Sequence, residues 1–257
     1  MAPNKQLVAF YTMLRNDFMR IVRIWSQTLL PPVVTTSLYF VVFGTFIGSQ
    51  LAPIQGLSYI QFIVPGLILM SVITSSYMNT VSTFYFAKWT KTLDEVLVSP
   101  MPEWLVILGF VSGGVMRGLM VGALVGVVGL FFTNLGIHHA LVLVAAVILT
   151  SVLFSIAGLI NGVFAKGFDG ISIVPTFVLT PLTYLGGIFY SIEQFPDFWQ
   201  KVSLLNPILY MINAFRWGFF GVSDINIWVC FGVLIGFTLI AITILLWLFR
   251  RGIGVKN

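Results

Sequence analysis

The chain has 257 residues, of which 58% are hydrophobic and only 8% charged, against about 25% charged in an ordinary soluble domain. This composition excludes a soluble enzyme and points to a polytopic membrane protein, long enough for several spans and too short to add a soluble catalytic domain. The formal charge of +5 does not indicate a nucleic-acid partner, because the basic residues stand at the ends of apolar segments, where membrane orientation is set.

In residues 1–26 the apolar positions Leu7, Tyr11, Leu14, Phe18, Ile21, Val22 and Trp25 recur at helical spacing, opposite Lys5, Asn16, Asp17, Arg20 and Arg23. The stripe predicts a helix lying in the inner membrane interface, apolar face down and cations toward anionic lipid. A signal peptide would show a short apolar core instead. A bilayer crossing takes roughly 20 apolar residues, and six segments qualify, at about 27–48, 58–83, 104–132, 138–164, 170–190 and 225–249. Lys5, Arg15, Arg20, Arg23, Lys88, Lys91, Lys166, Arg250, Arg251 and Lys256 then share one side. Only Lys201 and Arg216 lie on the other, and Arg117 is inside a span. The asymmetry places both termini in the cytoplasm.

Three spans carry polar residues at helical spacing. Span one has Thr28, Thr35 and Thr36 around Pro31 and Pro32; span two has Ser71, Ser75, Asn79 and Ser82; span five has Ser172, Thr176, Thr180 and Thr183. Such stripes either line a common cavity or return hydrogen bonds to carbonyls freed by Pro31, Pro32, Pro175 and Pro181. The second explanation is weaker for span two, where Pro65 lies well before the stripe.

The connection 84–103, between spans two and three, reads as a short stiff helix facing the cytoplasm. Thr92 and Glu95 have the spacing of a capping box, and Asp94 and Glu95 place negative charge at the positive end of the helix dipole. Ser99 and the stops Pro100 and Pro102 come next. Apolar Val96, Leu97 and Val98 are expected to be exposed between these polar ends, as a knob suited to a partner's groove.

Span three holds Gly114, Gly118, Gly122 and Gly126, a glycine every fourth residue, which lets helix backbones pack closely in lipid. Beside this ladder Arg117 sits about 18 Å into the span. A charge there costs about 2.5–3.5 kcal/mol on insertion scales, so a polar partner, water or an anionic ligand is expected. Residues 191–222 are apolar enough to suggest another crossing but hold Asn206, Pro207, Asn213 and Arg216. They read as an outer excursion of short helices dipping into the bilayer edge, with Trp199, Tyr210 and Trp217 as interfacial anchors.

Catalytic chemistry is not assembled. His138 and His139 have no Cys, Asp or Glu cluster near them and make a poor metal site. The single cysteine, Cys230, forms no intrachain disulfide framework. There is no G-x-x-x-x-G-K-[ST] loop to cradle ATP phosphates. If the chain drives transport, the energy comes from another chain.

Three stretches carry a family resemblance: Leu93-Asp94-Glu95-Val96-Leu97-Val98-Ser99-Pro100, the run from Leu179 to Ser191 that contains Thr183-Tyr184-Leu185-Gly186-Gly187, and the run from Leu205 to Arg216 that opens Leu205-Asn206-Pro207. With them the chain resembles, over nearly its whole length, the membrane-spanning subunits of ABC-2 type transporters, and among these the YadH-like bacterial inner-membrane permeases. The resemblance implies an all-α integral membrane fold of the type-2 ABC exporter kind, six transmembrane helices per subunit, arranged as a homodimer with two copies of a cytoplasmic ATPase. ATP would be used by that partner, with no cofactor bound by this chain. Thr92 to Pro100 would be the coupling helix and about Lys5 to Arg23 the interface helix. Spans one, two and five would line the path between subunits, and 191–222 would form re-entrant helices of the outer gate. The cargo is left open among lipid, glycoconjugate and hydrophobic drug. An integral-membrane enzyme acting on lipid head groups and a passive channel or scaffold are the alternatives.

Overall fold

The computed structural model describes residues 3–254, most of which are helical. Helix α1 (Pro3–Arg23) leads into α2 (Trp25–Gln50), the first of five helices among the described residues that are long and apolar enough to cross a membrane. Pro31 and Pro32 sit at the start of the α-helical turns Leu30–Tyr39, where a missing N–H breaks little hydrogen bonding. The helix then widens into π turns over Phe40–Ile47. The other four long helices are α3 (Tyr59–Trp89), α5 (Glu103–Leu130), α6 (Ala140–Phe164) and α10 (Ile227–Arg250), with the short α4 (Thr92–Val98) between α3 and α5. Gln61 Oε1 accepts from the Ser58 N–H at 3.1 Å and closes the start of α3.

Helix α3 is the axis of the fold. In its most apolar stretch 78% of residues are buried, against 11% in α2 and 28% in α10. It packs chiefly against α5 and α6. The glycines of α5 allow this approach: a Cβ on Gly114 would fall on the Thr80 and Ser155 hydroxyls, one on Gly118 on the Ser76 hydroxyl, and one on Gly122 would lie 2.6 Å from Val72. Gly126 has room, with its nearest neighbour at 4.0 Å. From α6, Gly158 presses on α3 in the same way, since a Cβ there would lie 2.5 Å from the Tyr77 carbonyl oxygen. Small residues thus bring three backbones together where lipid supplies no hydrophobic drive.

The fifth predicted span is broken. Helix α7 (residues 168–184) is α-helical over Phe168–Val174, π-helical over Pro175–Leu179 and α-helical again over Thr180–Tyr184. It rises about 25 Å, short of the roughly 30 Å hydrocarbon core. Pro175 and Pro181 interrupt its ladder, and Gly187, at φ +77°, turns the chain away.

Residues 191–222 also depart from expectation. Helix α8 (Asp197–Leu204) is largely exposed, but α9 (Pro207–Phe220) is enclosed by α3, α6 and α10, with Ile208, Leu209, Met211, Ile212, Asn213 and Ala214 all buried. It is a core element and does not lie at the edge. Of the expected interfacial anchors, Trp199 is exposed, whereas Tyr210 is buried and donates to the Leu204 carbonyl at 2.8 Å. Trp217 packs against the rings of His138 and His139.

Helix α1 is amphipathic, but its inward face is not purely apolar. Leu7, Tyr11, Phe18 and Val22 are exposed, as a lipid-facing stripe requires, and Ile21 is buried. Asp17 and Arg20, expected to face outward, turn into the bundle. Asp17 is pressed against Gly113, and Arg20 reaches Asn79 and Thr83 of α3. Arg20 finds hydrogen-bond partners in α3, and Asp17 pairs with Arg20 at 3.3 Å, so the half-buried pair turns inward together.

Candidate functional site

Helix α4 forms where the sequence places it, with different ends. Its N-cap is Lys91, held in the left-handed region at φ +60°, and no side chain caps the helix. The capping box expected from Thr92 and Glu95 is absent. The Thr92 hydroxyl instead lies 3.0 Å from that of Thr90. Ser99 is extended, as the residue before Pro100 must be, and its hydroxyl donates to the Val96 carbonyl at 2.5 Å. The three apolar residues are not equally exposed either. Val98 stands out at 87% exposure, while Val96 and Leu97 are half-buried against an apolar cluster. The sequence reading missed Leu93, only 1% exposed and seated in that cluster with Phe84, Val106 and Phe110. Asp94 and Glu95 remain exposed beside Val98. Helix α4 is therefore rooted by one leucine and presents a small apolar tip with acidic flanks.

Midway along the bundle, α2 and α3 enclose a groove of about 300 Å³ whose wall includes Thr35, Thr36, Tyr39, Ser71, Ser75 and Arg117. The Thr36 and Ser71 hydroxyls lie 2.9 Å apart across it, and the buried Ser75 hydroxyl has no partner within the chain. Asn79 lies one step further, in a second groove of about 360 Å³ that shares Arg117 as its wall. Arg117 Nη2 donates to the Thr28 carbonyl at 3.1 Å, and its buried Nε meets no acceptor. The stripe of α7 does not join these grooves within one chain. Ser172, Thr176 and Thr180 are exposed elsewhere, and Thr183 is buried. Thr180 donates to the Pro175 carbonyl at 2.9 Å and Thr183 to the Leu179 carbonyl at 2.8 Å. Here the hydroxyls serve carbonyls of a proline-disrupted helix. Tyr39 and Tyr184, with hydroxyls 3.4 Å apart, connect α2 to α7.

At the opposite end from α4 lies a polar hub that the sequence reading did not assemble. Arg216 is fully buried on α9, with its guanidinium 3.6 Å from the centre of the Phe62 ring. It donates to the Gly187 carbonyl at 2.7 Å and lies 3.7 Å from the Asp224 carboxylate, whose side chain is equally buried. Asp224 accepts from Gln55 at 2.5 Å and from Ser191 at 2.7 Å, and its N–H donates to Asn213 at 2.8 Å. Asn206 caps α9 through the Ile208 N–H and donates to the Leu182 carbonyl at 2.6 Å. One cluster thus ties the loop after α2, the end of α7, helix α9 and the start of α10. Asp224 was legible only as a charge shortly after Arg216; the turn at Gly221, φ +71°, brings it back.

The sequence profile of the family described as "ABC-2 type transporter" matches residues 8–220. The inner membrane transport permease YadH of Escherichia coli strain K12 is 52% identical over 251 residues, covering 97% of this chain and 98% of that protein. Nodulation protein J of Rhizobium leguminosarum bv. viciae is 23% identical over 218 residues, 83% of each chain. The nodulation protein J of Sinorhizobium fredii is 25% identical over 182 residues, covering 70% of this chain and 69% of its own. The profile match over most of the chain and the 52% identity over nearly the whole of both proteins show that this chain belongs to the ABC-2 type transporter family.

Proposed function

We propose that this chain is the permease of an ATP-driven exporter in a bacterial inner membrane, without an ATPase site of its own and worked by a cytoplasmic ATPase docked on α4. The observation that carries the proposal is the design of α4: Leu93 is rooted in the bundle while Val98 and the acidic pair face outward. A partner that moves the tip moves Leu93, and with it the cluster shared by α3, α5, α6 and α10. The 52%-identical relative, an inner membrane transport permease, supports both the role and the location.

In the assembly two copies of the chain face each other through α2 and α7, whose apolar and hydroxyl-bearing faces are left uncovered in one copy. Ser172, Thr176 and Thr180 would then look toward the same interior as Thr35, Ser71 and Ser75. Two ATPases serve the dimer, α7 together with residues 185–190 that follow it makes a sixth crossing, and both termini lie in the cytoplasm. The cargo is amphipathic: a lipid, a glycoconjugate or a hydrophobic drug. ATP hydrolysis below would tilt the two subunits and exchange access between the faces of the membrane.

The test is co-purification of a cytoplasmic ATPase with this chain from its native membrane. Val98→Asp should abolish capture of the ATPase at unchanged melting temperature. Leu93→Ala should lose capture and also destabilise the fold by about 2–5 kcal/mol, as buried leucines do. Full capture and full stimulation of ATP hydrolysis by the Val98→Asp chain would overturn the proposal.

A further inference from the structure

We infer that the groove between α1, α2 and α3 binds the phosphate head of an anionic amphiphile, gripped by Arg20 and Arg117. Two guanidinium groups from different elements line this one cavity of about 360 Å³, together with Asn79, Ser82 and the Thr28 segment. That volume lies in the range of built small-molecule sites. Arg20 is held in place by Asn79 Oδ1 at 3.1 Å and by Asp17 at 3.3 Å. Asp17 is the one carboxylate paired with either arginine among the described residues, so the site keeps a net positive charge.

Arg117 has far less. Of the five N–H donors of a guanidinium, one reaches the Thr28 carbonyl; Nε is buried without an acceptor, and Nη1, which makes no hydrogen bond among the described residues and is not fully buried, is the donor left for the grooves that Arg117 lines. Arg216 also has a buried nitrogen without a hydrogen bond, but that nitrogen faces the Asp224 carboxylate at 3.7 Å; among the described residues no carboxylate lies within ion-pair distance of Arg117, which leaves it open to a bidentate anion. The position also selects an amphiphile. Asn79 is about 15 Å from the α4 end of α3, beneath the surface, and the groove is flanked by the exposed side chains of Ile24 and Phe86. Those apolar flanks suit acyl chains beside a head group. Arg117 is shared with the second, hydroxyl-lined groove, so a bound head could pass onward without losing its counter-charge.

The inference rests on the exporter reading only for the fate of the amphiphile once bound, so binding is measured without the ATPase. The full chain, delipidated in a neutral detergent, is titrated with dioleoyl phosphatidate, with dioleoylglycerol and with inorganic phosphate, and retention is read by native mass spectrometry. Phosphatidate should be retained at least tenfold more strongly than dioleoylglycerol. The R117Q and R20Q chains should each lose about tenfold, the worth of one or two charge-assisted hydrogen bonds, and R117K should lose less. The melting temperature of apo R117Q should equal or exceed that of the unaltered chain, because an unsatisfied buried charge has gone.

Equal retention of phosphatidate and dioleoylglycerol would overturn the inference, as would R117Q and R20Q chains that bind as before. A fall in R117Q melting temperature with lipid retention intact would assign Arg117 a structural role and also overturn it. Displacement of phosphatidate by micromolar inorganic phosphate would overturn the amphiphile and leave a free-anion site. Intact binding with no effect of the ATPase would defeat the exporter reading and leave this site standing.

Discussion

Arg216 and Asp224 show what single residues contribute. Burying two charges is costly, and their attraction offsets the cost only when the remaining donors and acceptors are satisfied. Gly187, Ser191, Gln55 and the Phe62 ring supply part of that satisfaction, while the buried Arg216 Nη1 and Asp224 Oδ2, 3.7 Å apart, have only each other. Asp224→Ala should therefore destabilise the chain by about 3–5 kcal/mol, the usual consequence of orphaning one buried partner, measured as a shift in melting temperature in detergent. The double variant Arg216→Met with Asp224→Ala should recover part of that loss. Asp17 gives a pH-dependent case. Burial raises its pKa above the ordinary carboxylate value, with Arg20 opposing. A raised folded pKa means the neutral acid is favoured on folding, so the associated stability is full below the unfolded pKa and is lost as pH rises through the folded one. Asp17→Asn should then stabilise the chain at neutral pH, with a gain that shrinks in acid; a constant gain across a pH series of melting curves would refute the assignment. The depth of Arg117 could be read from the sequence because distance along a helix is fixed. Its partner could not, because the acceptor is a backbone carbonyl with no side-chain signature.

Among the elements, those set by local chemistry were the most legible. The paired prolines after α4 and its acidic first turn marked a short helix in the right place; it begins at Thr92 as expected and ends at Val98, two residues before Pro100. Its cap was misread because Lys91 takes a left-handed conformation that spacing does not encode. The amphipathic α1 was found from periodicity, yet Asp17 and Arg20 point inward because α3 offers Arg20 polar partners that only tertiary packing reveals, and Asp17 follows it as its ion-pair partner. The stripe of α7 looked like a lining and, within one chain, serves its own proline-broken backbone. The glycine ladder makes a graded prediction. Gly118→Val would drive side-chain atoms into Ser76, whereas Gly126 has space. The first should destabilise by about 1–3 kcal/mol, the usual range for overpacking, and Gly126→Ala by much less. Equal effects in a thermal melt would show that the ladder is not the contact surface.

For the whole molecule, the arrangement concentrates rigidity around α3 and leaves α2 and α7 on the periphery. Leu93 and the Arg216 hub stand at opposite ends of α3, the first against Phe84 and the second against Phe62. In the proposed cycle a displacement of α4 would reach α3, which touches both the groove and the hub. This long-range layout was invisible in the sequence, since it depends on α9 folding into the bundle and on a carboxylate beyond a turn. The central claim is that the groove is worked from α4 by an ATPase in another chain. The most direct measurement is labelling of a Ser75→Cys chain, with Cys230→Ser to remove the native thiol, by a small water-soluble thiol reagent in membrane vesicles. Labelling should change on adding ATP only when the partner ATPase is present and Val98 is intact. An ATP-dependent change in the chain alone, or the same labelling in every nucleotide state of the complete complex, would contradict it.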